Sequence, residues 1–191
     1  MMLVSKLPLE NKQYLNFDDA FIAQQGMLYG EADGVGIACT HLSSLWPNYA
    51  GLHGSSEGQN LYELNTILDF LNSRNDGSPQ VLMGDFNLGI AFPEFNLNAE
   101  FPDNYPGIVA EGFTSANAES AMPFCTWCPN VNLLSDETKD SMIDHIFVRN
   151  AETSNPRRLL DETVTLTTPE GTDRELHLSD HFAYQATVSY T

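Results

Sequence analysis

The sequence VLMGDFN, residues 81–87, places two polar side chains directly after a short apolar run. Residues 81–83 predict a short buried strand, because a brief apolar run bounded by a turn residue is typical of one. Alternate side chains of an extended chain share a face, so Asp85 and Asn87 are expected to project together while Phe86 turns into the core. Taken alone, the motif could also be an ordinary turn.

Three other strings place polar groups at the end of an apolar run in the same way. They are Thr40-His41-Leu42, Ile143-Asp144-His145-Ile146 and Ser179-Asp180-His181. Two of them have a simpler interpretation alone: Ser179 could cap a helix, and His41 could be a structural histidine. Four such motifs in one chain favour a shared site instead. His145 is expected to pack on the face opposite Asp144.

These motifs supply the groups that phosphoester hydrolysis needs: a divalent cation, a base that activates water, and stabilisation of the leaving oxygen. Magnesium prefers carboxylate and water oxygens, and histidine is the usual base near neutral pH. Asp180 and His181 are adjacent, so their side chains are expected to splay apart. Asp144 is therefore the best candidate to hold the His181 ring. The set predicts a metal-assisted phosphoester hydrolase.

Length and charge narrow the class of protein. The 191 residues predict a single domain spanning residues 1–191. Acidic residues number 26 against 8 basic ones, for a formal net charge of −18. Proteins that bind nucleic acids gain affinity from Lys and Arg side chains that neutralise phosphates. The acidic charge of this chain therefore disfavours a nucleic-acid partner. No apolar run approaches the ~20 residues of a transmembrane helix, so no membrane-spanning segment is predicted.

The periodicity of the remaining chain predicts mostly strands and one clear helix, an α+β layered fold. Asp33-Gly34 predicts a tight hairpin between residues 26–32 and 35–41. Leucine and isoleucine recur at helical spacing over residues 61–71, with Ser55 or Ser56 as the N-cap. Further strands are predicted at residues 3–7, 143–148, 163–168 and 184–190, and residues 88–122 are predicted to be a loop.

The cysteines do not form a metal or redox motif. Cys125 and Cys128 have C-x-x-C spacing, but a zinc site needs about four ligands, and a redox motif normally opens a helix after a strand. This pair instead lies between Pro123 and Pro129. We interpret the two residues as structural thiols or a local disulfide.

The chain resembles the endonuclease/exonuclease/phosphatase superfamily in four motifs, which occur in the order T-H-L, G-D-F-N, I-D-H-I and S-D-H. The resemblance extends over residues 3–188. The resemblance implies a four-layer α/β sandwich, in which two packed, mostly antiparallel sheets are flanked by helices. The detail is similar to the neutral sphingomyelinases, through Gly26-Met27-Leu28-Tyr29 and through Phe124-Cys125-Thr126-Trp127 followed by Asn130 and Asn132. The Asp that follows Trp in that family is Cys128 here. The aromatic membrane-docking hairpin of that branch would fall at residues 169–174, which are polar here.

The resemblance also implies a role for each matching residue. His181 would be the general base, oriented by Asp144. Asp85 would assist the leaving group or bind the metal, and Asp180 would lie close to the metal. His41 would stabilise the pentacovalent phosphorus. The expected cofactor is Mg²⁺, with Mn²⁺ or Ca²⁺ as alternatives.

Two further expectations come from the resemblance. Asn87 would hold a phosphate oxygen. Residues 3–9 look like a mid-chain strand of the family, which implies that the first strand, with a phosphate-site Asn, and the Glu that binds the metal lie outside this chain. Glu10 and Glu31 do not stand in the matching context. A partner chain or self-association could then complete the sheet.

The sequence therefore predicts a divalent-metal-dependent phosphodiester hydrolase that acts on a small or lipid phosphodiester, including a lipid head group. Two alternatives stay open. One is an endonuclease similar to the pancreatic deoxyribonucleases, and the other is a non-catalytic fragment that lacks the metal-binding Glu.

Overall fold

The computed structural model describes residues 1–17, 25–46, 52–135 and 138–190 of the chain. Within these residues, strands outnumber helices, and most of the strands belong to one sheet. None of the helices in the described ranges is both long enough and apolar enough to cross a membrane.

A six-stranded mixed sheet forms the centre of the fold, in the order β1-β2-β3-β4-β6-β5. Its strands are β1 (Glu10–Asn16), β2 (Gly26–Ala32), β3 (Val35–His41), β4 (Gln80–Asp85), β5 (Thr114–Ser115) and β6 (Asp144–Arg149). Strands β3 and β4 run parallel, whereas the other neighbours are antiparallel. The predicted hairpin between β2 and β3 is confirmed, with Asp33 and Gly34 both at positive φ, as the tight hairpin turn requires.

Side chains of the central strands alternate between two apolar faces of this sheet. Ala38, Leu82 and Phe147 point to one face and are fully buried there. Val81 and Val148, each offset by one residue, are buried on the other face. Both faces of the sheet are covered, which explains why its central strands are apolar on both sides.

Helix α1 (Ser56–Asn72) covers the first face. Its Leu64, Ile67 and Leu71 are fully buried in the same cluster as the sheet residues of that face. The side chain of Ser55 accepts a hydrogen bond from the backbone N–H of Gly58 at 3.0 Å, which caps the first turn. The predicted helix and its N-cap are confirmed.

A two-stranded antiparallel sheet of β7 (Glu152–Leu159) and β10 (Ala183–Ser189) lies over the second face. Val188 of β10 packs there against the buried valines of the central sheet. A separate hairpin, β8 (Val164–Thr167) with β9 (Asp173–Leu176), is largely exposed. The α/β class with mostly antiparallel sheets is confirmed. Both α-helices of the described ranges pack on the first face, so no helix there forms the fourth layer.

The structure corrects two local predictions. Residues 3–7 do not form a strand; Val4 and Leu7 are exposed, and the described chain offers no backbone partner to this segment. The strand begins instead at Glu10, where pairing with β2 becomes available. The segment 88–122 was predicted to be a loop, but it contains a short helix, α2 (Tyr105–Ala110), whose Ile108 is fully buried.

His145 lies on the helix-covered face of the sheet and is 1% exposed, as the alternation predicts. Its Nε2–H donates to the carbonyl of Leu88 at 3.0 Å, which leaves Nδ1 to accept from the hydroxyl of Ser115 at 3.0 Å. The ring is thus satisfied in its neutral form. Burial lowers the pKa of His145 to about 4.

We predict that His145 makes the fold less stable as the pH falls. The unfolded chain binds a proton at about pH 6.5 and the folded chain only at about pH 4, so the stabilisation present above pH 6.5 is lost between these values. Between pH 7 and pH 5, the free energy of unfolding should fall by about 2 kcal/mol more in the wild type than in His145→Asn. Urea denaturation of both proteins at both pH values measures this, and equal losses would contradict the prediction.

Candidate active site

Strand register brings three of the predicted site residues side by side. His41 ends β3, Asp85 ends β4 and Asp144 begins β6. His41 is paired with Asp85 across the β3–β4 ladder, and Asp85 is paired with Asp144 across the β4–β6 ladder. Paired positions project from the same face of a sheet, so these three side chains form a row on the face opposite α1.

His181 joins this row from the loop before β10. Its Nδ1 lies 2.8 Å from Oδ2 of Asp144, and its Nε2 lies 3.9 Å from Oδ2 of Asp85. Nε2 of His41 approaches the same Asp85 oxygen from the other side, at 3.4 Å. One carboxylate therefore lies between two imidazoles. The His181 ring, oriented by Asp144, presents its second nitrogen to the space between them.

The turn after β4 holds Asn87 beside this row. Oδ1 of Asp85 accepts a hydrogen bond from the backbone N–H of Asn87 at 2.9 Å. The side-chain amide of Asn87 donates to the carbonyl of Leu42 at 2.9 Å, which joins the turn to the end of β3. Gly84 has a φ of +141°, and a side chain at this position would collide with the carbonyl of Thr40. The glycine of the G-D-F-N motif is therefore required for the close approach of β4 to β3.

Buried polar residues of α1 support the loop that follows His41. Glu63 is fully buried and accepts two hydrogen bonds from Ser43, one from its backbone N–H and one from its hydroxyl, both at 2.7 Å. The amide of Asn60 donates to the carbonyls of Ser43 at 2.9 Å and Phe86 at 2.8 Å. Sequence reasoning missed this support. The available signal is that the first half of the buried stripe of α1 is polar, whereas the second half is apolar.

Electrostatic interactions shift both central groups. Burial, with the charge of Asp144, raises the pKa of Asp85 to about 6, against the opposing influence of His41 and His181. Burial alone would lower the pKa of His181, but the hydrogen bond and charge of Asp144, with the charges of Asp85 and Asp180, raise it to about 8. Titratable groups with shifted pKa values that converge on a cleft are typical of catalytic sites.

A cavity of about 610 Å³ opens over the row. His41, Asp85, Asn87 and His181 all line it, whereas Asp144 is behind the His181 ring. Asp180 lines it too, from the exposed loop that carries His181. Trp127 and Lys139 also line the cavity, and neither was assigned a role from the sequence.

Two of the acidic groups and one histidine are close enough to bind a metal ion. One ligand atom from each of Asp85, Asp144 and His181 lies within 4.8 Å of the others. Asp144 and His181 are bonded to each other, which leaves Asp85 as the most available ligand. Its crowding against a second carboxylate is the kind of repulsion that a cation relieves. The residues thus fit a hard divalent cation, which prefers oxygen ligands.

Asn132 holds the S-D-H loop. In the sequence, Asn132 is notable only as part of the segment that is similar to the neutral sphingomyelinases. Its side-chain amide donates to the carbonyls of Ser179 at 2.8 Å and Asp180 at 3.1 Å. Asn132 is 2% exposed, so these bonds are shielded from water. Cys125 and Cys128 form a disulfide, one of the two alternatives that the sequence left open.

We predict that Asp144 is the main cause of the raised pKa of His181. In metal-free protein, Asp144→Asn removes the charge and leaves the burial, so the pKa of His181 should fall from about 8 towards its ordinary value of 6.5. Asp180→Asn is the control and should lower that pKa less, because Asp180 makes the smaller contribution. NMR titration of the imidazole C–H signals measures both, and an unchanged pKa in Asp144→Asn would refute the assignment.

Comparison with known proteins rests on structure, because the sequence matches no protein-family model and no curated protein. Sphingomyelinase C from Streptomyces griseocarneus superimposes with a TM-score of 0.67 at 20% identity, over 98% of this chain and 66% of that one. TDP2 from D. rerio, complexed with a single-strand DNA product, gives a TM-score of 0.69 at 16% identity, over 96% and 68% of the two chains.

A third solved structure belongs to a named family with this fold. An endonuclease/exonuclease/phosphatase family protein from Bacteroides thetaiotaomicron superimposes with a TM-score of 0.65 at 14% identity, over 97% of this chain and 67% of that one. The chain thus spans about two thirds of the length of these three structures. Together with the four motifs, these superpositions show that the chain has the endonuclease/exonuclease/phosphatase fold.

Proposed function

We propose that this protein is a divalent-metal-dependent phosphodiester hydrolase. One observation carries the proposal: the 2.8 Å hydrogen bond from His181 to Asp144 fixes an imidazole whose other nitrogen faces Asp85 and the cavity. This is the arrangement of a base and its orienting carboxylate beside a site for a reacting group.

In this proposal, the neutral form of His181 takes a proton from the attacking water through Nε2. Asp144 holds the ring through Nδ1 and stabilises the imidazolium that forms. His41, on the other side of Asp85, donates a hydrogen bond to a phosphoryl oxygen as negative charge develops. Asn87, held against Leu42 at the cavity wall, contacts another phosphoryl oxygen.

A divalent cation held by Asp85, with Asp180 as a further ligand, supplies positive charge to the phosphoryl oxygens when bound. We propose Mg²⁺, with Mn²⁺ or Ca²⁺ as alternatives, because oxygen donors suit hard cations. As the alternative to holding the cation, Asp85 would assist the leaving group, because burial and the charge of Asp144 raise its metal-free pKa to about 6 and favour the protonated form more than in an ordinary carboxyl.

The substrate that we propose is a small or lipid phosphodiester. Asp85, Glu100 and Asp180 line the cavity, and Lys139 is the single Lys or Arg among the described residues that line it. With a net charge of −18 for the chain, this surface repels a long polyanion. One solved neighbour is a sphingomyelinase C, whereas another carries a single-strand DNA product. Nuclease activity is therefore the alternative, and the two are separated by assay.

We predict chelator-sensitive hydrolysis of sphingomyelin or a chromogenic phosphodiester, with slower or no hydrolysis of DNA. Each substrate is incubated with magnesium and, separately, with EDTA, and release of the product is measured. Faster cleavage of DNA would reassign the protein as a nuclease. Absence of EDTA-sensitive turnover on all three substrates would contradict the catalytic proposal and favour a non-catalytic scaffold.

We also predict that His181→Ala lowers kcat by about 100-fold or more, because general base catalysis contributes at least that much. His53→Gln is the matched control: His53 stacks on Tyr62 and is not among the residues that line the cavity. Its kcat should stay near the wild-type value. Full activity of His181→Ala would show that another group activates the water.

A further inference from the structure

Thr126 is a fully buried residue between the two cysteines of the disulfide, and the mechanism above does not use it. Its side-chain and backbone oxygens each accept hydrogen bonds, from two segments that are far apart in the sequence. One segment carries Asp144 and the other carries His181.

The hydroxyl of Thr126 holds the start of β6. Oγ1 accepts the backbone N–H of Asp144 at 3.0 Å and that of Ile143 at 3.3 Å. Pairing with β4 fixes Asp144 laterally through the sheet. The hydroxyl of Thr126 therefore also restrains the backbone of Asp144, from outside the sheet.

The backbone around Thr126 holds the S-D-H loop. The carbonyl of Thr126 accepts the N–H of Phe182, the residue after His181, at 2.9 Å. Trp127 forms an isolated antiparallel bridge with His181, and the centroids of their rings lie 4.8 Å apart. The imidazole is thus supported on one side by an indole and on the other by the Asp144 carboxylate.

The segment is itself well anchored. The N–H groups of Thr126 and Trp127 both donate to the carbonyl of Ser141 at 3.1 Å, and Ser141 donates back to the carbonyl of Trp127 at 2.8 Å. The disulfide between Cys125 and Cys128 closes the segment covalently. Its geometry is therefore fixed by the disulfide and by the bonds to Ser141, in addition to the bonds that Thr126 makes to Asp144 and Phe182.

We propose that Thr126 is the positioning residue that sets the separation of Asp144 and His181, by bonding the backbones of both segments at once. This inference rests on the function proposed above, because it assigns Thr126 a part in that reaction. Thr126 touches no reacting atom and acts through the imidazole–carboxylate pair. Small misplacements of catalytic groups cost large factors in rate, so the effect should be seen in kcat.

The test compares Thr126→Val with Thr126→Ser. Valine keeps the shape of threonine but removes the acceptor for the Asp144 N–H, whereas serine keeps that acceptor. We expect Thr126→Val to lower kcat by about 10- to 100-fold with KM within about twofold of the wild type. Thr126→Ser should restore kcat to within about threefold of the wild type, because the same hydrogen bond can form. Circular dichroism checks the fold, and Thr126→Ala replaces the valine variant should that variant not fold.

A second measurement does not depend on activity. The Nδ1–H proton of His181, bonded to Asp144, should give a far-downfield NMR signal that exchanges slowly with water. In Thr126→Val this signal should move upfield and exchange faster. Thr66→Val is the control: it removes a hydroxyl bonded to the Tyr62 carbonyl within α1, away from the cavity, and should leave the signal unchanged.

The outcomes separate this proposal from the function on which it rests. An unchanged His181 signal in Thr126→Val, or an equal change in Thr66→Val, overturns the positioning role even when the wild type is active. A valine variant with wild-type kcat does so too. A changed signal in a protein whose wild type hydrolyses none of the three substrates supports the positioning role and counts against the proposed reaction instead.

Discussion

The alignment of His41, Asp85 and Asp144 across three neighbouring strands is the constraint on which the site depends. Each residue stands at the end or the start of its strand, and the ladders pair them directly. Hydrogen bonding of the sheet, rather than loop conformation, thus brings one imidazole and two carboxylates to one face. The fourth group, His181, enters from a loop and needs its own supports, which Asn132 and the segment around Thr126 provide.

Repulsion between the two carboxylates of the row is partly offset by the two histidines. Asp85 and Asp144 are like charges on adjacent strands, and burial makes their proximity more costly. The two histidines offset part of this cost, and a bound cation would offset more. The rigid surroundings, from the glycine turn of β4 to the buried Glu63 beneath the loop after β3, prevent these groups from relaxing apart. Such enforced proximity is what a catalytic site requires.

The sequence predicted the central elements because each is encoded locally. Asp33-Gly34 sets the hairpin, Ser55 caps the helix, and the apolar runs before Asp85 and His41 match buried strands. Strand β1 and helix α2 were missed, since one is almost entirely exposed and the other is only six residues long. The bond between His181 and Asp144 was expected from chemistry alone. The functions of Thr126 and Glu63 could not be, because both depend on contacts between segments distant in sequence.

The paired row has a consequence for how related chains can diverge. Inserting or deleting one residue within β3, β4 or β6 would turn its polar end towards the helix-covered face, since side chains alternate along a strand. The connections between these strands carry no such restriction. Lineages that keep the chemistry should therefore vary freely in loop length while strand lengths beside the row stay constant. Short motifs at strand ends can then be retained in related chains after nearly all other sequence similarity has been lost.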